Sequence, residues 1–133
     1  MSLSTDPIAD MLARIRNALM VRSKTVIVPS SSLKIEILKI MKEEGYIENF
    51  DVINRKVEKV LKVDLKYDEN MYPVIRGLKR VSKSSLRKYA GYRNIPRVRG
   101  GMSVTIMSTS GGVMTAKSAN SRSLGGEVLC YVW

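Results

Sequence analysis

The chain has 133 residues, 44% of them hydrophobic, with 23 Lys/Arg against 12 Asp/Glu, a single cysteine and no histidine. That length suits one domain or two small halves sharing an interface, and the apolar content is too high for a disordered chain. No apolar run approaches the roughly 20 residues of a membrane span, and Cys130, alone in "EVLCYVW", can form no internal disulfide, which fits a reducing compartment.

The charge is unevenly placed. Residues 1–69 hold 12 Lys/Arg and 11 Asp/Glu, a net of +1, whereas residues 70–133 hold 11 Lys/Arg and one acid, Glu127, a net of +10. From Arg76 to Arg99 run Lys79, Arg80, Lys83, Arg87, Lys88, Arg93 and Arg97 with no acid among them. Like charges repel and raise the cost of folding, so an unmixed basic segment calls for a polyanion, with nucleic acid favoured over a membrane surface.

In chain order, "TDPIADMLARIRNALMVR" reads as an amphipathic helix. Thr5 or Asp6 can cap it and Pro7 suits its first position. Ile8, Met11, Leu12, Ile15 and Leu19 form one apolar stripe. Arg14 and Asn17 fall on another side, open to phosphate or to water, and the charges interleaved here (Asp6, Asp10, Arg14, Arg16) do not make a signal peptide. "TVIVP" is a short β-branched strand. "SSLKIEILKIMKEEG" returns to helical spacing through Leu33, Ile37, Ile40 and Met41, with Ser31 or Ser32 as cap and Gly45 as the left-handed exit. "YIENFDVI" is a strand, "NRK" (Asn54 to Lys56) a turn, and "VLKVDLKY" alternates with Leu61, Val63, Leu65 and Tyr67 on one face.

"DENMYP" marks the boundary between two subdomains, 1–69 and 70–133. Beyond it "PVIRGLKRVS", "RKYAGY", "MSVTIM" and "GEVLCYVW" are short β-rich segments, and "TAKSANSRSLGG" allows about two helical turns. The fold class expected is α+β: an N-terminal α-β-α-β-β subdomain and a C-terminal, mostly antiparallel β subdomain with a short helix.

Without histidine and with one cysteine, the chain cannot assemble a common His/Cys zinc site or a Ser-His-Asp triad. Glu43–Glu44 and Asp68–Glu69 sit where a helix end and a turn explain them, so no enzyme is expected and no cofactor. A binding surface is better supplied. Lys and Arg neutralise phosphates. Tyr89 and Tyr92, in "LRKYAGYR", offer rings for stacking on an unpaired base, or one of them is core. "STSGG" (Ser108, Thr109, Ser110, Gly111, Gly112) places three hydroxyls and two bare backbone positions on a turn between strands. That is more than a minimal turn needs. It suits close reading of the shallow groove of folded RNA.

Four separated stretches, "DPIADMLARIRNA", "PVIRGLKRVSK", "STSGGVMT" and "GGEVLCYVW", resemble the bacterial small-subunit ribosomal protein eight family, across essentially the whole chain and in the right order. The resemblance implies a compact two-domain protein that binds the central domain of small-subunit ribosomal RNA in a cytoplasmic ribosome and helps organise the platform. It further implies contacts with ribosomal proteins five and twelve and, in some bacteria, repression of the protein's own operon messenger RNA, with no membrane or small-molecule partner.

By motif position, the hydroxyls of the family's RNA-contacting loop match Ser108, Thr109 and Ser110, its glycine matches Gly112, its tyrosine Tyr89 and its closing glutamate Glu127, which would meet a base edge or hold the loop. With Ser82, Lys83, Arg87 and Lys88 of the basic segment, Gly111, and Arg14, Asn17 and Lys56 of the first half, these are the expected RNA-binding residues. Two positions and one stretch depart from the family pattern: Gly111 replaces a basic or polar residue, Ser84 replaces a proline and loosens its bend, and "AKSANSRS" lacks the usual acids and at least one arginine.

Overall fold

The computed structural model describes residues 6–95 and 102–133, so Thr5, Arg97 and Arg99 lie outside the described residues. It forms two compact units, one spanning Ile8–Arg76 and the other gathering residues 6–7 with Gly77–Trp133. The architecture is α+β in the sense expected from the sequence.

The first unit contains α1 (Pro7–Met20), β1 (Thr25–Pro29), α2 (Ser32–Glu43), β2 (Ile47–Asn54) and β3 (Lys59–Leu65). The five residues of the predicted stripe, Ile8, Met11, Leu12, Ile15 and Leu19, are the buried residues of α1. Each contributes about 1.5–3 kcal/mol by leaving water, which outweighs helix-propensity differences of about 0.7 kcal/mol or less per ordinary residue. Ser31 caps α2 by accepting from the Lys34 amide at 3.2 Å, and Gly45 leaves the helix at φ +82°. The three strands lie in the order β1-β3-β2, both pairings antiparallel. Val28 opposes Leu61, and Val63 lies between Val26 and Phe50, which builds the buried face of this sheet.

Two details depart from the expected pattern. Lys34, not Leu33, joins Ile37, Leu38, Ile40 and Met41 on the buried face of α2. Only 4% of Lys34 is exposed, and its Nζ donates to the Pro29 carbonyl at 3.0 Å. Desolvation lowers its pKa, opposed by the Asp10 charge. Tyr67 falls outside β3: its backbone forms an isolated bridge with Pro73, and its hydroxyl donates to the Ser23 carbonyl.

In the second unit the strands are β4 (Leu78–Arg80), β5 (Tyr89–Ala90), β6 (Val104–Thr109), β7 (Gly112–Thr115) and β8 (Gly126–Val132), with α3 (Ala116–Ser121) between the last two. The order is β4-β8-β6-β7, and β5 also pairs with β8. Thus β8 is the hub, with β6 along one edge and β4 followed by β5 along the other. Its register against β6 shifts at Leu129, which falls between the pairs Ile106–Cys130 and Met107–Val128. The Leu129 carbonyl accepts from the Val81 amide at 3.0 Å and from Arg80 Nη1 at 2.6 Å. Arg80 Nε also meets both oxygens of Asp6, at 3.1 and 3.0 Å, in a mostly buried ion pair. Gly77 and Trp133 exchange backbone hydrogen bonds, and a Cβ on Gly77 would stand 2.2 Å from the indole, so only glycine fits beneath that ring.

Met107, Met114, Ala119 and Val128 form a core cluster, with Val81, Ala90, Ile95, Ala116, Leu124 and Tyr131 packed against it. Cys130 is fully buried, and desolvation pushes its thiol up to about 12. A buried thiol with so little thiolate is inert. Alkylation followed by mass spectrometry is expected to leave Cys130 unmodified in the native protein and to label it once denaturant is added.

Candidate nucleic-acid interface

The "STSGG" stretch forms the β6–β7 hairpin. Thr109 pairs with Gly112, leaving Ser110 and Gly111 as the tip. Gly112 carries the positive φ, +109°, so the glycine of this motif stands where the backbone enters a region that side chains disfavour. The Thr109 hydroxyl braces the turn, accepting from the Gly111 amide at 3.1 Å and donating to the Gly112 carbonyl at 2.8 Å. Ser110 and both glycines are exposed, while Ser108 and Thr109 are half-buried. The hydroxyls expected to act together are therefore divided in role: Thr109 shapes the tip and Ser110 crowns it.

Strand register aligns further expected residues. Ser108 on β6 and Tyr89 on β5 both oppose Glu127 on the hub strand, so Tyr89, Glu127 and Ser108 form one row across three strands. Directly opposed residues project on the same face of a sheet. Tyr89 is 71% exposed, which leaves its ring available, whereas Tyr92 is half-buried and its hydroxyl accepts from Arg93 Nε at 3.0 Å. In the next row Gly126 lies between Ala90 and Thr109, where a Cβ would come within 2.1 Å of the Ser108 carbonyl oxygen. A Cβ on Gly125 would likewise press to 2.7 Å from the Ala90 carbonyl. The two glycines let three strands converge beneath the row.

Ser82 differs from the expectation. It is fully buried at 0% exposure and cannot touch an external ligand. Its hydroxyl accepts from the Lys88 amide at 3.1 Å and donates to Glu127 Oε2. It thereby closes the base of a loop on which Lys83, Arg87 and Lys88 are exposed. Lys83 and Leu86 exchange reciprocal backbone bonds at 3.0 Å, so the tight turn through Ser84 forms without a proline. Arg87 Nη1 donates to the same Glu127 oxygen at 2.8 Å.

Arg122 was not among the expected residues. Its guanidinium comes within 3.2 Å of where a Gly111 Cβ would stand, and Leu124 within 2.9 Å, so side chains from beyond α3 flank the bare tip. A polar run with weak periodicity gave no signal for that placement.

In the unit spanning Ile8–Arg76, Arg14 and Asn17 lie exposed on α1 and Lys56 in the β2–β3 turn. Arg14 pairs with Asp10 at 2.9 Å across one helical turn.

Among the described residues of the second unit, eight Lys/Arg face two acids, and each acid holds an arginine: Asp6 with Arg80 and Glu127 with Arg87. No group of His, Cys, Asp and Glu able to hold a metal occurs among the described residues. No helix among them is long and apolar enough to cross a membrane.

The family model described as "Ribosomal protein S8" matches residues 6–133. A relative named small ribosomal subunit protein uS8, from Solibacter usitatus (strain Ellin6076), is 51% identical over 98% of this chain and 100% of its own length. Proteins of the same name from Natranaerobius thermophilus and Acholeplasma laidlawii are 50% and 53% identical, each over 97% of this chain and 98% of the relative. The protein is thus a structural ribosomal constituent and not an enzyme. More narrowly, the chain belongs to the ribosomal protein S8 family.

Burial alone would raise the Glu127 pKa, but hydrogen bonds from Ser82 and Arg87, with the charges of Arg87 and Arg80, hold it below the usual glutamate value. A carboxylate depressed in the folded state contributes stability above its unfolded pKa and loses it as pH falls through the folded one. The stability gap between wild type and Glu127→Gln, read from urea unfolding, is therefore expected to hold steady above about pH 5 and to narrow as pH falls below the unfolded glutamate value of about 4.3.

Proposed function

We propose that the protein is a primary RNA-binding constituent of the small ribosomal subunit, docking on the central domain of its RNA through the β6–β7 hairpin and the row beside it. The observation that carries this reading is the registered placement of Tyr89, Glu127 and Ser108 next to an exposed hairpin tip, in a unit where cations outnumber acids. Lys83 and Lys88 supply phosphate neutralisation from the adjoining loop, Tyr89 supplies a stacking face, and Ser110 with Gly111 and Gly112 lets hydroxyl and backbone approach a shallow groove. Arg14, Asn17 and Lys56 are further RNA-binding candidates, on the unit spanning Ile8–Arg76. Ribosomal proteins five and twelve as neighbours, and a messenger RNA that copies the ribosomal site, belong to the same proposal, as does a cytoplasmic location.

Footprinting on small-subunit ribosomal RNA tests it directly: the wild type is expected to protect one region of the central domain, and a Tyr89/Ser110 double alanine variant to lose that protection. With about 4–6 phosphates neutralised, log affinity should fall with log salt at a slope of about −4 to −5. A flat response would remove the basic loop from the interface.

Ser110 and Thr109 should separate affinity from stability. Ser110→Ala is expected to cost about 1 kcal/mol or more of RNA binding with the melting temperature unchanged. Thr109→Ala should lower stability by about 1 kcal/mol, because both of its hydrogen bonds lie inside the turn. Titration and thermal melting of the two variants distinguish these effects.

A further inference from the structure

We infer that Ser82 and Arg87 are positioning residues that act on RNA through Glu127, which they hold as a fixed acceptor for an N–H or O–H donor of the RNA, and that Arg87 is not a phosphate ligand. This rests on the RNA-binding reading above and assigns the basic segment a division of labour that charge alone does not reveal.

The hydrogen bonding of Glu127 is one-sided. Ser82 Oγ and Arg87 Nη1 both donate to Oε2, and among the described residues no hydrogen bond reaches Oε1. The side chain is 17% exposed, so one oxygen is clamped while the carboxylate still meets solvent between Tyr89 and Ser108. Two fixed donors on one oxygen restrict the carboxylate's rotation, and a group so restricted loses less freedom when it takes a ligand.

Ser82 can face only one way. A hydroxyl has one proton to give, and the Lys88 amide already donates to this oxygen. The proton is left for Glu127. Because the serine is fully buried, water cannot take over that bond. The arrangement also keeps Glu127 ionised, hence acceptor-only, which selects for donors on the RNA and against a bare phosphate.

Arg87 solves the problem such a carboxylate creates. Near a polyanion an unpaired negative charge would repel, and Arg87 at 2.8 Å cancels it. A cation so paired projects a dipole more than a charge. It therefore differs from Lys83 and Lys88 on the same loop, which have no carboxylate partner among the described residues.

The experiment compares full-length wild type, Ser82→Ala, Arg87→Gln and Lys88→Gln, each titrated across a range of salt against a central-domain fragment of small-subunit ribosomal RNA and a scrambled RNA of equal length. Ser82→Ala and Arg87→Gln are each expected to lose about tenfold of the preference for the ribosomal fragment, with the salt slope unchanged in Ser82→Ala and in the charge-balanced double variant Arg87→Gln/Glu127→Gln. Lys88→Gln should weaken both RNAs alike and reduce the slope by about one. In a Glu127→Ala background, Ser82→Ala and Arg87→Gln should cost nothing further.

A slope lowered by about one in Arg87→Gln/Glu127→Gln, on both RNAs, would show a phosphate ligand and overturn the inference. Full additivity in the Glu127→Ala background would reduce Ser82 to a structural role and overturn it too. If wild type prefers the ribosomal fragment and both variants keep that preference, the inference fails alone. If wild type shows no preference, the RNA reading falls and takes the inference with it. Should Ser82→Ala melt below the assay temperature, Arg87→Gln, at an exposed position, decides the matter.

Discussion

The strands β6 and β8 meet so closely at residue 126 that a single methyl group there would stand 2.1 Å from the Ser108 carbonyl oxygen. That constraint organises the second unit. With glycine in place, Ser108 opposes Glu127 and Thr109 opposes Gly126, which sets the hairpin tip just past the row next to the carboxylate. With glycine at 125 as well, Ala90 can close on the other edge, bringing Tyr89 opposite the same glutamate. A shift of one residue in either pairing would send every side chain to the opposite face, separating the tyrosine, the carboxylate and the serine. The surface is thus specified by two absent side chains as much as by those that line it.

Electrostatics builds on that frame. The two acids of the second unit are each held by an arginine and by further bonds, one through Asp6 to Arg80 and the bulged Leu129 carbonyl, the other through Glu127 to Arg87 and Ser82. Both carboxylates are anchored to the hub strand, so the remaining cations on the exposed loop and tip project an undiluted field. In the first unit the signs are mixed, with pairs such as Arg14–Asp10 and Lys39–Glu36 on its helices. Surface pairs of that kind contribute little to stability, but they cancel one another's field, which leaves the two units with different electrostatic characters.

Features that depend on local spacing were readable directly. The stripe of α1, the β-branched run of β1, the serine cap of α2 and the glycine exit at 45 all follow from residues within a few positions of one another. The hairpin tip was likewise legible as small residues between strands. Ser82 was not. It sits in a polar run, "SKSS", and its burial is decided by a glutamate 45 residues away, which no local pattern announces. Lys34 misled for a related reason: its aliphatic stem and the Pro29 carbonyl let a cation occupy an apolar face. The register shift at Leu129 and the two-residue β5 depend on pairing with β8, and short segments carry too little periodicity to specify such partners.

The central place of β8 has a consequence for biosynthesis. In the Ile8–Arg76 unit the last strand to emerge, β3, follows its partners by only a few tens of residues, so that sheet can close while translation continues. The other sheet closes later. Its strands β4 and β5 pair only with β8, and the β6–β7 hairpin joins them only through that strand, translated after all of them. Until β8 appears, the nascent basic segment carries neither Glu127 nor a completed scaffold, and its cations face the cell's RNA without the geometry that would make them selective.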